Sequence, residues 1–395
     1  MPNRRNFFAQ MTSAIAAVAW GPRNLFAQVR SGYLMQSAPS TETVIDGKSY
    51  IYFGGTGYYT LQNHPALMKA ASEALMKYGM HSATSRSVFG NTPLYAAVEK
   101  QAADYFGTED AAYIASGYLC NLAGIQGLAM GTKFDAVFVD EGSHYSIVDF
   151  APVLEVPVIK FAHANADDLR SKLAAHLKAG QKPLIASDAI FPLMAEVAPV
   201  AAYVAASAPY DATIWLDDSH GVGVLGANGR GTCEHLGIKS DRVFFAGTFS
   251  KAFGSHGGVI PGKREFVESI RSGHVMNGAT SPCSPAAASA LASMELLTQH
   301  PEMRAALLSN AARLKTGLRK LGIPFFESPM PVAAWTLKSG TEMDRVHRAL
   351  MDRGVCIQRV HYVGAGAEGV LRIVVFSSHT PEQIDRLLAE LRRVV

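Results

Sequence analysis

A lysine with hydroxyls on either side, at the end of an apolar run, is the most chemically suggestive feature of this 395-residue chain. In VFFAGTFSKAFGSHGG (243–258) the first four residues read as a buried strand, and Gly247 lets the chain turn so that Thr248, Ser250 and Lys251 leave it together. A lysine amine can form a Schiff base with an aldehyde, while nearby hydroxyls and backbone N–H groups can hold a phosphate. Pyridoxal 5'-phosphate (PLP) carries both groups. Upstream, IWLDDSHGVG (214–223) is an apolar strand that ends in Asp217, with His220 three residues later. A carboxylate beside a pyridine nitrogen keeps that nitrogen protonated, the condition for PLP to withdraw electrons, and Asp217 suits the role. The competing structural role for Asp217 and Asp218 is to cap the following turn.

Other elements must bring a phosphate site and a ring contact to the same place. Tyr113-Ile114 reads as a short strand, Ser116-Gly117-Tyr118 as a turn, and Leu119 onward as a helix, so the N–H groups of Gly117, Tyr118 and Leu119 face outward. Helix N-termini bind anions because unpaired N–H groups and the macrodipole converge there. A strand at 136–139 delivers His144, and another at 184–186 delivers Ser187 and Asp188.

The segments DDSHGVGVLG (217–226), GTFSKAFGSHGG (247–258), SGYLCN (116–121), SHYSIVD (143–149) and LRIVVFSSHT (371–380) together resemble the α-oxoamine synthase family, and the resemblance runs from about Thr43 to the C-terminus. It implies an α/β chain of PLP-dependent transferase fold type I: a large domain with a mostly parallel seven-stranded sheet flanked by helices, and a smaller C-terminal α+β domain. It also implies a homodimer with shared active sites, in which an amino acid condenses with an acyl thioester such as acyl-CoA and CO2 is lost. Carried over by position, His144 lies flat against the PLP ring, Ser187 lies near the cofactor, and His220 bonds the phenolic oxygen or the substrate carbonyl. Thr280 gives a phosphate-binding hydroxyl across the dimer interface. Arg372 grips the substrate carboxylate, a fork that suits two parallel oxygens, and Ser85, Arg86 and Asn121 fall on the substrate side.

Three stretches depart from that family. Thr56-Gly57-Tyr58-Tyr59-Thr60 stands where it has Asn-Asp-Tyr-Leu-Gly, residues 192–196 differ from its Ser-Met-Asp-Gly-Asp, and residues 360–366 replace a loop rich in proline and threonine. All three lie on the substrate side, which keeps open an exported racemase, aldolase or aminotransferase that does not use acyl-CoA. A non-catalytic binding protein is a third reading, opposed by the joint presence of Lys251, Asp217 and Arg372.

The domain organisation read from the chain is an export signal at 1–27, an N-terminal arm and hairpin at 28–80, a large PLP-binding domain at 81–285 and a small domain at 286–395. Asn3-Arg4-Arg5-Asn6-Phe7-Phe8, the alanine-rich 11–20 and Leu25-Phe26-Ala27 resemble a twin-arginine signal, so a periplasmic location is expected. The apolar part is too short for a permanent membrane span. In 43–53, Asp46-Gly47 marks a hairpin turn. Helical spacing predicts helices at 66–78, 92–106, 302–320, 341–353 and 380–394, with strands at 332–337, 355–360 and 370–376. An apolar content of 48% suits a large core, and a net charge of +3 gives no sign of nucleic-acid binding. Cys120, Cys233, Cys283 and Cys356 are scattered without metal-ligand spacing, so neither a metal nor a disulfide framework is expected.

Overall fold

A computed structural model describes residues 32–395, and the export-like segment at 1–27 lies outside the described residues. The hairpin forms where its turn residues place it. Strand β1 (Glu42–Ile45) pairs antiparallel with β2 (Lys48–Tyr52). Asp46 and Gly47 take φ of 48° and 78°, as the favoured two-residue turn requires.

The short apolar runs assemble into one seven-stranded sheet. Its strands are β3 (Asp110–Ile114), β4 (Ala136–Asp140), β5 (Val158–Phe161), β6 (Pro183–Asp188), β7 (Thr213–Asp217), β8 (Val243–Thr248) and β9 (Gly258–Gly262), in the order β3-β9-β8-β7-β6-β4-β5. From β8 to β5 every pairing is parallel, and β9 runs antiparallel to both β8 and β3. Parallel sheets are covered on both faces, which is why these strands lack a polar side. In β7, Trp215 packs with Ala123, Ile125 and Phe266 on one face, while Ile214 and Leu216 pack with Phe138, Leu169 and Tyr203 on the other. All parallel strands end toward the same edge, where open α/β sheets bind ligands.

The C-terminal part has its own sheet, in which β13 (Val370–Val374) lies between β10 (Val332–Trp335) and β12 (Gln358–Val360), all antiparallel. Helices Pro301–Lys320, Gly340–Asp352 and Pro381–Val394 cover it through Leu314, Val346 and Leu387. The strand expected over 355–360 is two strands. Val355–Cys356 forms β11, which pairs parallel with β2, and the chain then crosses to the other sheet. An open edge on β2 needs a partner, and β11 supplies it. Helix Ser284–Gln299 packs on Pro65–Tyr78 and Pro93–Phe106, so most of it joins the larger part across a boundary drawn at 285/286.

One close approach couples this packing to the sheet's binding edge. A Cβ on Gly124 would sit 1.9 Å from the Trp215 indole, so only glycine lets helix Gly117–Gly131 lie against β7. Overpacking of this kind costs ~1–3 kcal/mol. Gly124→Ala is therefore expected to lower the unfolding free energy by that amount, seen as a lower urea midpoint at an unchanged m-value when unfolding is followed by circular dichroism.

Candidate active site

Asp217 closes β7 and stands in register with Ala246 of β8, the strand whose following turn carries Lys251. Their side chains meet in a cavity of about 270 Å³, with Gly117 and Tyr118 at one end and His144, His220, Thr248 and Ser250 around it. His144, His220 and Lys251 also line an adjoining cavity of about 280 Å³, which ends at Arg372 and has Pro192, Leu193, Val360 and Tyr362 as an apolar wall. Residues far apart in the chain are thus brought to one edge of the sheet.

The Asp217 carboxylate is almost fully buried and fully held. Oδ1 accepts the Ser219 N–H at 3.0 Å and Oδ2 accepts Asn121 Nδ2 at 2.7 Å. Asn121 is the first correction to the sequence reading. It is wholly buried behind Asp217, its Nδ2 also donates to Ser146 Oγ at 2.8 Å, and its Oδ1 accepts the Trp215 indole N–H at 2.7 Å. No polar atom is left for a substrate, because a buried amide must satisfy its bonds within the protein. Asp218 turns away onto the backbone N–H and hydroxyl of Thr232, both at 2.6 Å, and burial pushes its carboxyl up to about 7. Capping the turn falls mainly to Asp218, which leaves Asp217 facing the cavity.

The Lys251 side-chain amine makes no hydrogen bond or ion pair among the described residues, while its backbone carbonyl accepts the Gly254 N–H at 3.0 Å. Burial holds its amine below the usual lysine range, opposed by the negative charges of Asp217 and Asp188. Near it, the Thr248 and Ser250 hydroxyls are 2.8 Å apart, and Thr248 Oγ1 donates to the Gly257 carbonyl at 3.0 Å. A Cβ on Gly117 would lie 2.7 Å from the Thr248 side chain, so the helix N-terminus and the turn after β8 form one polar cradle. Ser116 caps this helix by accepting the Leu119 N–H at 3.3 Å. Leu119 is therefore a second correction: its N–H is spent on the cap, while Gly117 and Tyr118 reach the cavity.

The His144 backbone N–H donates to Asp188 Oδ2 at 2.6 Å, and its ring Nδ1 lies 2.6 Å from Ser146 Oγ. Burial lowers the imidazole below its usual range. Asp188, which the sequence reading left without a role, lines the cavity and stands in register with Asp217. Burial, with Asp217 nearby, pushes its carboxyl well above the usual range. Ser187 is a third correction, since strand alternation turns it away from the cavity. Its hydroxyl is wholly buried and donates to the Asp188 carbonyl at 2.9 Å. That same alternation is the signal that could have selected Asp188.

Arg372 is buried on β13, opposite Gln358 of β12 and Ala334 of β10. Its Nε donates to the Leu193 carbonyl at 3.2 Å, and its Nη1 donates to the Gly55 carbonyl at 3.2 Å and to Gln358 Oε1 at 2.8 Å. A guanidinium has five N–H donors, so these bonds leave the Nη2 pair for a ligand. The fork is turned end-on rather than presented side-on. Ser85 and Arg86 lie outside both cavities. Arg86 grips Glu99 through both oxygens, at 2.7 and 3.0 Å, and Ser85 Oγ accepts the Ser87 N–H. A guanidinium committed to a buried carboxylate is not free for a substrate in the same chain. Thr280 is exposed and likewise outside these cavities.

Residues 51–391 match the family described as Aminotransferase class I and II. Among the relatives, the 8-amino-7-oxononanoate synthase of Lysinibacillus sphaericus is 31% identical, over 91% of this chain and 92% of its own length. The serine palmitoyltransferase of Sphingobacterium spiritivorum is 30% identical, over 94% of this chain and 92% of its own. The chain belongs to the α-oxoamine synthase family. Among solved structures, Sphingomonas wittichii serine palmitoyltransferase superposes with a TM-score of 0.86 at 28% identity, covering 98% of this chain and 97% of that one. An SPT solved with a PLP internal aldimine gives the same TM-score and 28% identity, covering 98% and 97%.

This α-oxoamine synthase is a PLP-dependent acyltransferase, and the cavity fits that cofactor. It has an amine without a protein partner, a hydroxyl-and-backbone cradle tight enough to exclude a Cβ at Gly117, and a fixed carboxylate in Asp217. The Lys251 environment sets a pH dependence. Because burial lowers its pKa from 10.5, the rate at which the apoprotein takes up PLP covalently should level off below pH 10.5. Asp217→Asn removes a charge that favours the ammonium form, so the midpoint should move to lower pH. Stopped-flow absorbance over a pH series checks both, with Lys251→Ala as the variant that forms no covalent band.

Proposed function

We propose that this enzyme joins a small α-amino acid to an aliphatic acyl thioester with loss of CO2, working as a homodimer on the periplasmic side. The observation that carries the reaction is the meeting of Lys251, Asp217 and Arg372 around two adjoining cavities, one polar and one with an apolar wall. The relatives' names point the same way and do not favour a racemase, aldolase or aminotransferase.

The roles follow from each residue's surroundings. Gly117 and Tyr118, with Thr248 and Ser250, hold the phosphate, and Asp217 keeps the ring nitrogen protonated. Bound PLP supplies an electron-poor ring that stabilises negative charge at the substrate α-carbon. Lys251 would hold the cofactor, and its amine is the base placed to move the substrate α-proton. His144 and His220 line the cavity, where His144 would restrain the cofactor and His220 would bond its phenolic oxygen or the substrate carbonyl. Arg372 would hold the substrate carboxylate through Nη2, a grip that fixes the orientation of the substrate about its α-carbon. Pro192, Leu193, Val360 and Tyr362 receive the acyl chain.

Support for the dimer comes from Val88 and Phe89, which are 63% and 86% exposed beside Ser85 and Arg86, a poor arrangement for a monomer surface. Support for export comes from the twin-arginine pattern at 1–27.

Purified enzyme given single amino acids with acyl-CoA is expected to release CO2 and free CoA in equal amounts. Racemisation without thioester, and no CoA release, would overturn the acyl-transfer reading. Arg372→Ala is expected to raise KM for the amino acid ~10- to 100-fold, the range for a lost charged contact, while PLP content holds. Replacing both Arg4 and Arg5 with lysine is expected to keep the enzyme in the cytoplasm, as read by fractionation.

A further inference from the structure

Tyr58 lines neither cavity, yet its hydroxyl lies 2.9 Å from His220 Nδ1 and beside the Arg372 guanidinium. It is wholly buried, and its backbone carbonyl accepts the Ser377 N–H at 2.9 Å, so the ring is anchored from both ends. We infer that Tyr58 is a positioning residue that fixes His220 in its Nε2–H tautomer, so that His220 can only donate toward the active-site cavity. The inference rests on the reading above that His220 faces an oxygen of the cofactor or substrate.

Proton inventory leads to this assignment. The Tyr58 hydroxyl is wholly buried, and His220 Nδ1 is its hydrogen-bond partner among the described residues. The phenol proton is then left for His220 Nδ1, since a buried hydroxyl without an acceptor is costly. Burial pushes Tyr58 up to about 12, so the phenol keeps its proton. Burial, with the charges of Lys251 and Arg372 adding to it, holds His220 well below the usual imidazole range. A neutral imidazole has one acceptor nitrogen and one N–H. With Nδ1 accepting from Tyr58, the proton is on Nε2.

A neutral, fixed donor suits an oxygen that gains negative charge during reaction, because it needs no reorganisation when the charge appears. The sequence gives little warning of this, because Tyr58 lies in a stretch that departs from the family on either side.

The test uses the PLP-loaded enzyme labelled with ¹⁵N-histidine. Long-range ¹H–¹⁵N correlation spectra report the tautomer, and the His220 signals are those lost in His220→Gln. The expected wild-type result is an Nε2–H pattern that does not change between about pH 6 and 8, given how far burial depresses this ring. Tyr58→Phe is expected to give mixed tautomers and a ~10- to 100-fold lower kcat, with a smaller change in KM. A wild-type His220 that is Nδ1–H or doubly protonated overturns the inference, and so does a Tyr58→Phe spectrum identical to wild type. If Tyr58→Phe does not fold, the wild-type spectrum decides alone. Absence of CoA release with the expected tautomer would count against the acyl-transfer reading and leave the tautomer assignment standing.

Discussion

A carboxylate taken out of water survives as an anion only if hydrogen bonds replace the lost solvent. The site is organised around that requirement at Asp217. Ser219 and Asn121 each donate to it, and Asn121 is itself oriented by the Trp215 indole. Trp215 sits where it does because position 124 is glycine. The carboxylate is thereby fixed by helix, strand and turn together. Without it, Lys251 would lose the strongest counter-charge that supports its ammonium form.

Around that anchor the charges are arranged in opposition. Lys251 and Arg372 are cations facing one continuous space, with Asp217 and Asp188 on its sheet side. Desolvation lowers the two cations and raises Asp188, so burial shifts Lys251, Arg372 and Asp188 toward neutrality. Sites of this kind can move protons near neutral pH, because small energy differences separate their charge states. His144 and His220 are likewise kept below their usual range, and so act as neutral hydrogen-bonding groups rather than as further cations.

Much of this was legible in the sequence, because short motifs fix local geometry. Strand, glycine and hydroxyls around Lys251, a strand ending in Asp217, and Gly117-Tyr118 opening a helix all keep their meaning wherever the sheet places them. The failures have a common cause: they concern which way a side chain points. Asn121 is on the helix face that meets Trp215, Ser187 and Asp188 exchange roles by strand alternation, and Leu119 is consumed by a cap from Ser116. Arg86 found a buried carboxylate in Glu99 that no local pattern announces. Tyr58 and its link to His220 span 162 positions in the chain, a distance over which spacing carries no information. The split of 355–360 into two strands is of the same kind, since the free edge of β2 is a tertiary fact.

That split has a consequence for how the protein comes into being. Residues made early form the hairpin, yet the strand that seals its edge is synthesised near the end of translation. Until then a nascent polypeptide shows an unsealed β-edge, the kind of surface on which chaperones and aggregation both act. Closure of that seam marks a finished fold.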